Sequence, residues 1–320
     1  MASIKTQLDV NGTKVEVSNL QKVMYPQTGF TKGDVIDYYI KISEHLLPHL
    51  KNRPITLKRY PDGVEGFFFY EKQCPPHRPK WVKTADVPKS DGTDIHYCVM
   101  NDLPALVWAA NLADLELHTF LHRAPAIRRP TSLAFDLDPG APAEILTCAD
   151  VGLKLKALFD ALGLESFAKT SGSKGLQVYV PLNTAATYEK TKAFARTVAE
   201  LLVDELPGLV VSDMKKRLRK GKVLVDWSQN DDHKTTINAY SLRAKERPTV
   251  STPVTWKEVQ AAVKKQDAGL LVFGPADVLK RVRKSGDLFA PVLTLKQRLP
   301  GLKALAGSGR SEQFGMDNIR

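Results

Sequence analysis

Cysteine is scarce in this chain: Cys74, Cys98 and Cys148 are its only three in 320 residues. They form no CxxC pair and no even framework, which fits a reducing compartment. Long apolar runs are missing as well. No stretch approaches the 18 or more consecutive apolar residues of a membrane span. The opening "MASIKTQLDVNG" has no apolar core behind its charge, so it is not a signal peptide. Internal repeats and low-complexity blocks are also absent. These gaps predict a cytoplasmic protein with no membrane partner.

What is present is an ordinary soluble composition, 43% hydrophobic and 25% charged. The length suits one large or two modest domains. Lysine and arginine number 46 against 35 acidic residues, a net charge of +11. That excess favours a polyanionic partner such as nucleic acid, against the plainer reading of a basic protein without one.

Turn chemistry around Pro26 and Gly29 precedes helical spacing from about Lys32, through Val35, Ile36, Tyr39 and Ile42–Leu46. "RPITLKRYPDGVEGFFFYEKQ" alternates and turns at Pro61-Asp62-Gly63, the pattern of a hairpin. "DLPALVWAANLADLE", about 102–116, reads as one helix. From residue 131 the order is strand (131–138), helix (about 147–162), strand (166–170), strand (176–182), helix (187–206) and strand (222–227). This β-α-β-β-α-β succession is the ferredoxin-like, or RRM-like, arrangement, in which first and last strands lie side by side. The fold class is therefore mixed α+β, with further α/β elements before the sheet. The polar end, "LKALAGSGRSEQFGMDNIR", reads as a disordered tail or linker.

The stretch "SLAFDLDPG" ends an apolar strand in two carboxylates. Side chains alternate along a strand, so Asp136 and Asp138 share a face. Asp226, closing "GKVLVD" on the expected neighbouring strand, joins them. Three such groups repel and raise one another's pKa. A bound cation resolves this, and oxygen-only ligands select Mg²⁺ or Mn²⁺. Two ions about 4 Å apart would serve nucleotidyl transfer. A lone D-x-D more often caps a strand or pairs with surface lysines; Asp226 favours metal.

Thr170, Ser171, Gly172, Ser173, Lys174 and Gly175, in "KTSGSKGLQVYV", put hydroxyls, backbone N–H groups and an ammonium in one turn. That is phosphate-binding chemistry without a Walker A pattern. Arg219 and Arg243 could add guanidinium clamps. The run Lys215, Lys216, Arg217, Arg219, Lys220 and Lys222 suits a nucleic-acid backbone, or simply a solvated face. In "GFFFYEK", the aromatics could stack on bases, although Phe67 and Phe68 read better as core. Two weaker patterns stay in view. "KSDG" (Lys89–Gly92) matches K-x-D-G of covalent nucleotidyltransferases and reads as a surface loop. His118 and His122 would be zinc-spaced only on a helix; a core or phosphate-contacting role is the better reading.

Together, "FDLDPG", "TSGSKGL" and "VDWSQN" resemble the polymerase domain of bacterial DNA ligase D, in the archaeo-eukaryotic primase superfamily. The resemblance runs from about Asn19 to Leu293, through "KVMYPQTGFTKGD", "RPITLKRYPDG", "KTTINAYSLR" and "GDLFAPVL". It implies one primase-polymerase catalytic domain over 1–300, comprising an N-terminal α/β part to about 130, the catalytic sheet about 131–250 and a helical part about 251–300. Residues 301–320 would be tail. It implies a nucleotidyltransferase extending primers with ribo- or deoxynucleotides (NTPs or dNTPs) at gaps and double-strand breaks in non-homologous end joining. By position, Asp136, Asp138 and Asp226 would be catalytic and hold two Mn²⁺ or Mg²⁺ ions. Lys58, His118, Ser171, Ser173, Lys174, Arg219 and Arg243 would hold the nucleotide. Asn19, Lys22 and Lys32 would receive a DNA 5′-phosphate, and Phe69 and Tyr70 would stack on DNA. A Ku-like end-binding protein, a ligase domain or protein and a bacterial, nucleoid-associated setting are further implications. Gln177 departs from the histidine usual there, and a neutral amide cannot carry charge. Three other readings remain: a metal-dependent nuclease, a non-catalytic DNA-end-binding module and a primase that starts without a primer.

Overall fold

Two short strand pairs open the chain in the computed structural model, which describes residues 5–89 and 91–308. They are β1 (Lys5–Val10) with β2 (Thr13–Ser18), and β3 (Val23–Tyr25) with β4 (Phe30–Thr31). Thr31 then caps α1 (Lys32–Leu50): its hydroxyl accepts from the Asp34 N–H at 3.2 Å, and Asp34 accepts from the Thr31 N–H at 2.7 Å. The apolar positions Val35, Ile36, Tyr39, Ile42 and Leu46 are the buried face, as their spacing predicts.

β5 (Pro54–Arg59), β6 (Phe69–Glu71), β7 (Lys83–Pro88) and β8 (Asp94–Val99) follow, then α2 (Leu103–Asn111) and β9 (Asp114–Thr119). The stretch 102–116, expected as one helix, is thus a helix and a strand. Asp102 caps α2, accepting from the Ala105 N–H at 3.0 Å. Ala113 ends it with φ +60°, a left-handed position that continues no helix. β10 (Ser132–Pro139), α3 (Ile145–Ala161), β11 (Phe167–Thr170), β12 (Leu176–Pro181), α4 (Tyr188–Glu205), β13 (Val210–Val211) and β14 (Val223–Asp226) come next. After β15 (Thr236–Ile237), β16 (Leu242–Arg243), β17 (Thr249–Val250) and β18 (Pro253–Val254), the chain is helical: α5 (Trp256–Lys265), α6 (Pro275–Ser285), α7 (Pro291–Thr294) and α8 (Leu302–Ser308).

The chain divides into two units. The first takes the chain up to Ile127, with Thr235–Thr252 and Phe273–Asp287. Its sheet runs β15-β9-β5-β8-β7, with β6 paired to β5. Tyr39 ties α1 to β9, its hydroxyl donating to the Leu115 carbonyl at 2.7 Å. Cys74 and Cys98 form a disulfide here, Cα atoms 4.9 Å apart, which corrects the expectation of unpaired thiols. A 24-residue separation conceals the pair; the Cys74 N–H, donating to the His96 carbonyl at 2.7 Å, holds it beside β8.

The second unit takes Arg128–Lys234, Pro253–Val272 and the described residues from Leu288 on. Its sheet order is β13-β14-β10-β12-β11-β18. The four inner strands, β14-β10-β12-β11, are antiparallel neighbours in the ferredoxin-like order, with β13 and β18 added at the edges. Phe135 meets Phe159 of α3 at 5.5 Å between ring centroids. The tail expected to be disordered begins as α8, whose Leu305 is buried; residues 309–320 lie outside the described residues.

Candidate active site

The pairing of β10 with β14 sets Asp136 directly opposite Asp226, and β12 sets Gln177 on its other side. Asp138 is two residues further along the same face. Burial pushes Asp136 up to about 6; the charges of Asp138 and Asp226 add to this, while Gln177 and Lys169 oppose it. Lys169, fully buried on β11, donates to the Gln177 side-chain oxygen at 2.5 Å. Asp226 accepts from the Ser228 N–H (2.8 Å), the Ser228 hydroxyl (2.7 Å) and the Gln229 amide (3.0 Å), which fix its plane. Three acceptor-only carboxylates, one raised by burial and then by its neighbours, are a donor set that fits hard divalent cations. Their oxygens do not all converge within 4.8 Å; among the described residues only Asp231, Asp232 and His233 do. That second group is partly exposed, and its Asp231 is ion-paired with Lys192 at 2.5 Å.

The turn between β11 and β12 lies against the carboxylate strand. A Cβ on Gly175 would come within 2.1 Å of the Leu137 carbonyl oxygen, so only glycine fits there. The Ser171 hydroxyl accepts from the N–H groups of Ser173 (3.2 Å) and Gly175 (3.1 Å), which turns two of the expected phosphate donors inward. Ser173 is half-buried and Lys174 exposed. Arg219 follows the three-residue turn Lys216–Leu218 and donates to the Met214 carbonyl at 2.5 Å. Lys215, Lys216, Arg217 and Lys220 around it are exposed.

In the first unit the strand register puts Lys58 of β5 opposite Glu116 of β9. The Glu116 carboxylate is 3.3 Å from Lys58 Nζ, 3.0 Å from His118 Nε2 and 3.2 Å from Arg243 Nε, and it accepts from the Ala244 N–H at 3.0 Å. The three unit-one residues assigned to the nucleotide are therefore gathered on one buried anion that sequence reading missed. The signal was present in "DLELHT": read as a strand, Asp114, Glu116 and His118 share a face. Lys58 Nζ also lies 4.7–5.4 Å from the ring centroids of Tyr60, Phe68 and Tyr70.

Phe67 and Phe68, expected in the core, are 72% and 46% exposed. The alternation stops after Arg59, and both rings sit in the loop before β6. Phe69 is half-buried and Tyr70 exposed. His118 lies on β9 and His122 beyond it, so the helical zinc spacing fails. His122 is buried, its ring stacked on Phe120 at 4.6 Å.

The Asn19–Lys22 turn is bonded to the start of α1: the Lys32 and Gly33 N–H groups each donate at 2.8 Å to the carbonyls of Lys22 and Leu20. Asn19 has φ +54°. Lys22 pairs with Asp62 at 2.9 Å, and buried Lys32 donates to the Asn111 carbonyl at 3.0 Å. Burial pulls Lys32 down to about 8, with the Lys22 charge adding. Of "KSDG", exposed Lys89 pairs with Asp91 at 3.7 Å in the turn joining β7 and β8; Ser90 lies outside the described residues.

The family model described as "LigD, primase-polymerase domain" matches residues 31–289. The chain belongs to this family. It is similar to the multifunctional non-homologous end joining protein LigD of Mycolicibacterium smegmatis, 40% identical over 285 residues, 87% of this chain and 36% of that protein. The bifunctional LigD of Bacillus subtilis is 34% identical over 274 residues, 85% of this chain and 43% of the relative. The chain thus spans well under half the length of these LigD relatives. Among solved structures, the polymerase domain of Mycobacterium tuberculosis ligase D in complex with DNA superposes with a TM-score of 0.81 at 38% identity, covering 88% of this chain and 98% of that one. LigD primase-polymerase domains are nucleotidyltransferase-type polymerases with mixed α+β folds, as here. Among the described residues no helix is long and apolar enough to cross a membrane.

Proposed function

We propose that this chain extends DNA primer 3′ ends by nucleotidyl transfer, adding ribo- or deoxynucleotides at gaps and double-strand breaks in non-homologous end joining. The observation that carries the reading is the placement of Asp136 opposite Asp226, with Asp138 on the same face, in a LigD-family chain. Those three carboxylates would hold two Mn²⁺ or Mg²⁺ ions, which supply a lowered pKa for the attacking hydroxyl and charge stabilisation at the leaving oxygen. Lys58, His118, Ser171, Ser173, Lys174, Arg219 and Arg243 would bind the triphosphate substrate. The lysine and arginine side chains among them would counter its charge and orient its α-phosphate toward the primer hydroxyl. Asn19, Lys22 and Lys32 would take a 5′-phosphate, and Phe69 and Tyr70 would stack on the DNA. The solved relative's complex with DNA supports that partner. A Ku-like protein and a ligase complete the proposed pathway, in a nucleoid-associated, cytoplasmic setting, with 1–300 acting as one catalytic domain.

The test is extension of a labelled primer on a gapped duplex carrying a 5′-phosphate, with Mn²⁺ and separate ribo- and deoxynucleotide pools, beside Asp136→Ala. Growth by wild type alone, stronger with ribonucleotides and abolished by EDTA, is the expected result. Shortening of the primer without nucleotide would make the protein a nuclease. Binding without growth under either metal would make it an end-binding module.

A further inference from the structure

We propose that Glu116 is a positioning residue for the nucleotide substrate: its buried carboxylate gathers Lys58, His118 and Arg243 and fixes the proton of His118 on Nε2. This rests on the reading that those three residues hold the nucleotide. Glu116 is 1% exposed and so is shielded from solvent. Each of its oxygens faces two nitrogens. One takes the Ala244 N–H at 3.0 Å and lies 3.2 Å from Arg243 Nε; the other lies 3.0 Å from His118 Nε2 and 3.3 Å from Lys58 Nζ. Three of these contacts are hydrogen bonds, from Ala244 N–H, His118 and Lys58, and the Arg243 guanidinium adds an opposite charge.

Without that anion, the like charges of Lys58 and Arg243 would repel each other. Burial by itself would raise the Glu116 pKa, but the His118 hydrogen bond and the Arg243, His118 and Lys58 charges hold it well below the usual carboxylate range. An anion can only accept, so His118 must donate through Nε2, which leaves Nδ1 an acceptor while the ring is neutral. Burial lowers the His118 pKa and the Glu116 hydrogen bond and charge oppose that, with Arg243 and Lys58 lowering it further. Tyr70, edge-on at 6.0 Å between ring centroids, is the aromatic neighbour on that ring. Glu116 thus prearranges three groups on three strands and sets the hydrogen-bonding polarity of one of them.

The experiment uses the full chain with Glu116→Gln and Glu116→Asp. Incorporation kinetics give kcat and KM for ATP and for the gapped duplex; equilibrium dialysis gives ATP binding with Mn²⁺; nitrogen NMR of the histidine rings gives the tautomer and titration of His118. We expect Glu116→Gln to raise the KM for ATP about tenfold or more, as misplaced binding groups do. DNA affinity should stay unchanged, and His118 should titrate at lower pH with its Nε2–H preference lost. Glu116→Asp should restore part of each. An ATP KM and a His118 tautomer like those of wild type in Glu116→Gln would overturn the proposal, and so would an equal loss of DNA and ATP affinity. If Glu116→Gln does not fold, Glu116→Asp decides alone, since shortening the side chain must still loosen ATP binding and shift His118. The underlying nucleotide reading fails separately, if Lys58→Ala and Arg243→Ala leave ATP binding by dialysis intact.

Discussion

Single atoms decide the shape of the loop between β11 and β12. The Leu137 carbonyl oxygen stands 2.1 Å from where a Gly175 Cβ would be, so Gly175→Ala must push the loop off β10. Overpacking of this kind costs about 1–3 kcal/mol, and the displaced element carries Ser171, Ser173 and Lys174. The expected outcome is a lower denaturation midpoint together with a raised KM for nucleotide. An unchanged KM with lowered stability would detach the loop from substrate binding. Gly140 makes the same close approach to Arg219, 1.8 Å from its carbonyl oxygen to a Cβ, so this arginine is seated by a glycine in the other strand connection. Neither need is visible in the sequence, where both glycines read as ordinary turn residues.

Among elements, the hairpin of β5 and β6 carries both buried and exposed aromatics. Phe67 is 72% exposed and stacks on Phe69, at 6.0 Å between centroids. Phe67→Ala is therefore expected to leave stability within about 0.5 kcal/mol. Its DNA affinity should fall by about 1–3 kcal/mol if a base stacks on the ring; thermal melting and fluorescence anisotropy separate the two effects. An unfolded variant would return the ring to the core. The ferredoxin-like sheet was legible because period-two strands and period-3.6 helices alternate cleanly from residue 131, and the D-x-D with Asp226 followed from that topology. β9 was not legible. The apolar density of "LPALVWAANLADLEL" masks the place where α2 stops, and a left-handed Ala113 carries no sequence mark. Losing that strand hid Glu116, because D-x-E-x-H lines one face only with a period of two. The exposure of Phe67 and Phe68 was hidden for the opposite reason, since alternation was extended past the point where the strand ends.

Acidity acts on the whole molecule through groups whose signs differ. Glu116 is held below its ordinary value near 4.3, so its stabilisation is full above that value and is lost as pH falls below it. Asp114 is raised by burial, so the folded chain loses relative stability as pH climbs past the unfolded value near 3.9. The Glu116 window lies below pH 5, whereas Asp114, and Asp136 pushed up to about 6, stabilise the native state increasingly as pH falls through their raised native values toward the unfolded value near 3.9. Between pH 7 and 5 the lowered histidines act in the opposite sense to these carboxyls: burial, with the Arg53 charge adding, pulls His122 down to about 3, and burial lowers His118 too. Below about 6.5 the unfolded chain takes up protons that these native rings refuse, so stability falls with acidity by up to about 1.4 kcal/mol per pH unit for each. Added positive charge on a chain already at +11 pushes the same way. Urea denaturation from pH 7 to 5 gives the net slope, in which the histidines lower stability as pH falls. His122→Gln, which cannot titrate, should remove about one histidine's share of that slope at constant m-value. A variant slope equal to that of wild type would mean that His122 protonates as readily folded as unfolded, and any fall would then belong to His118 and the overall charge.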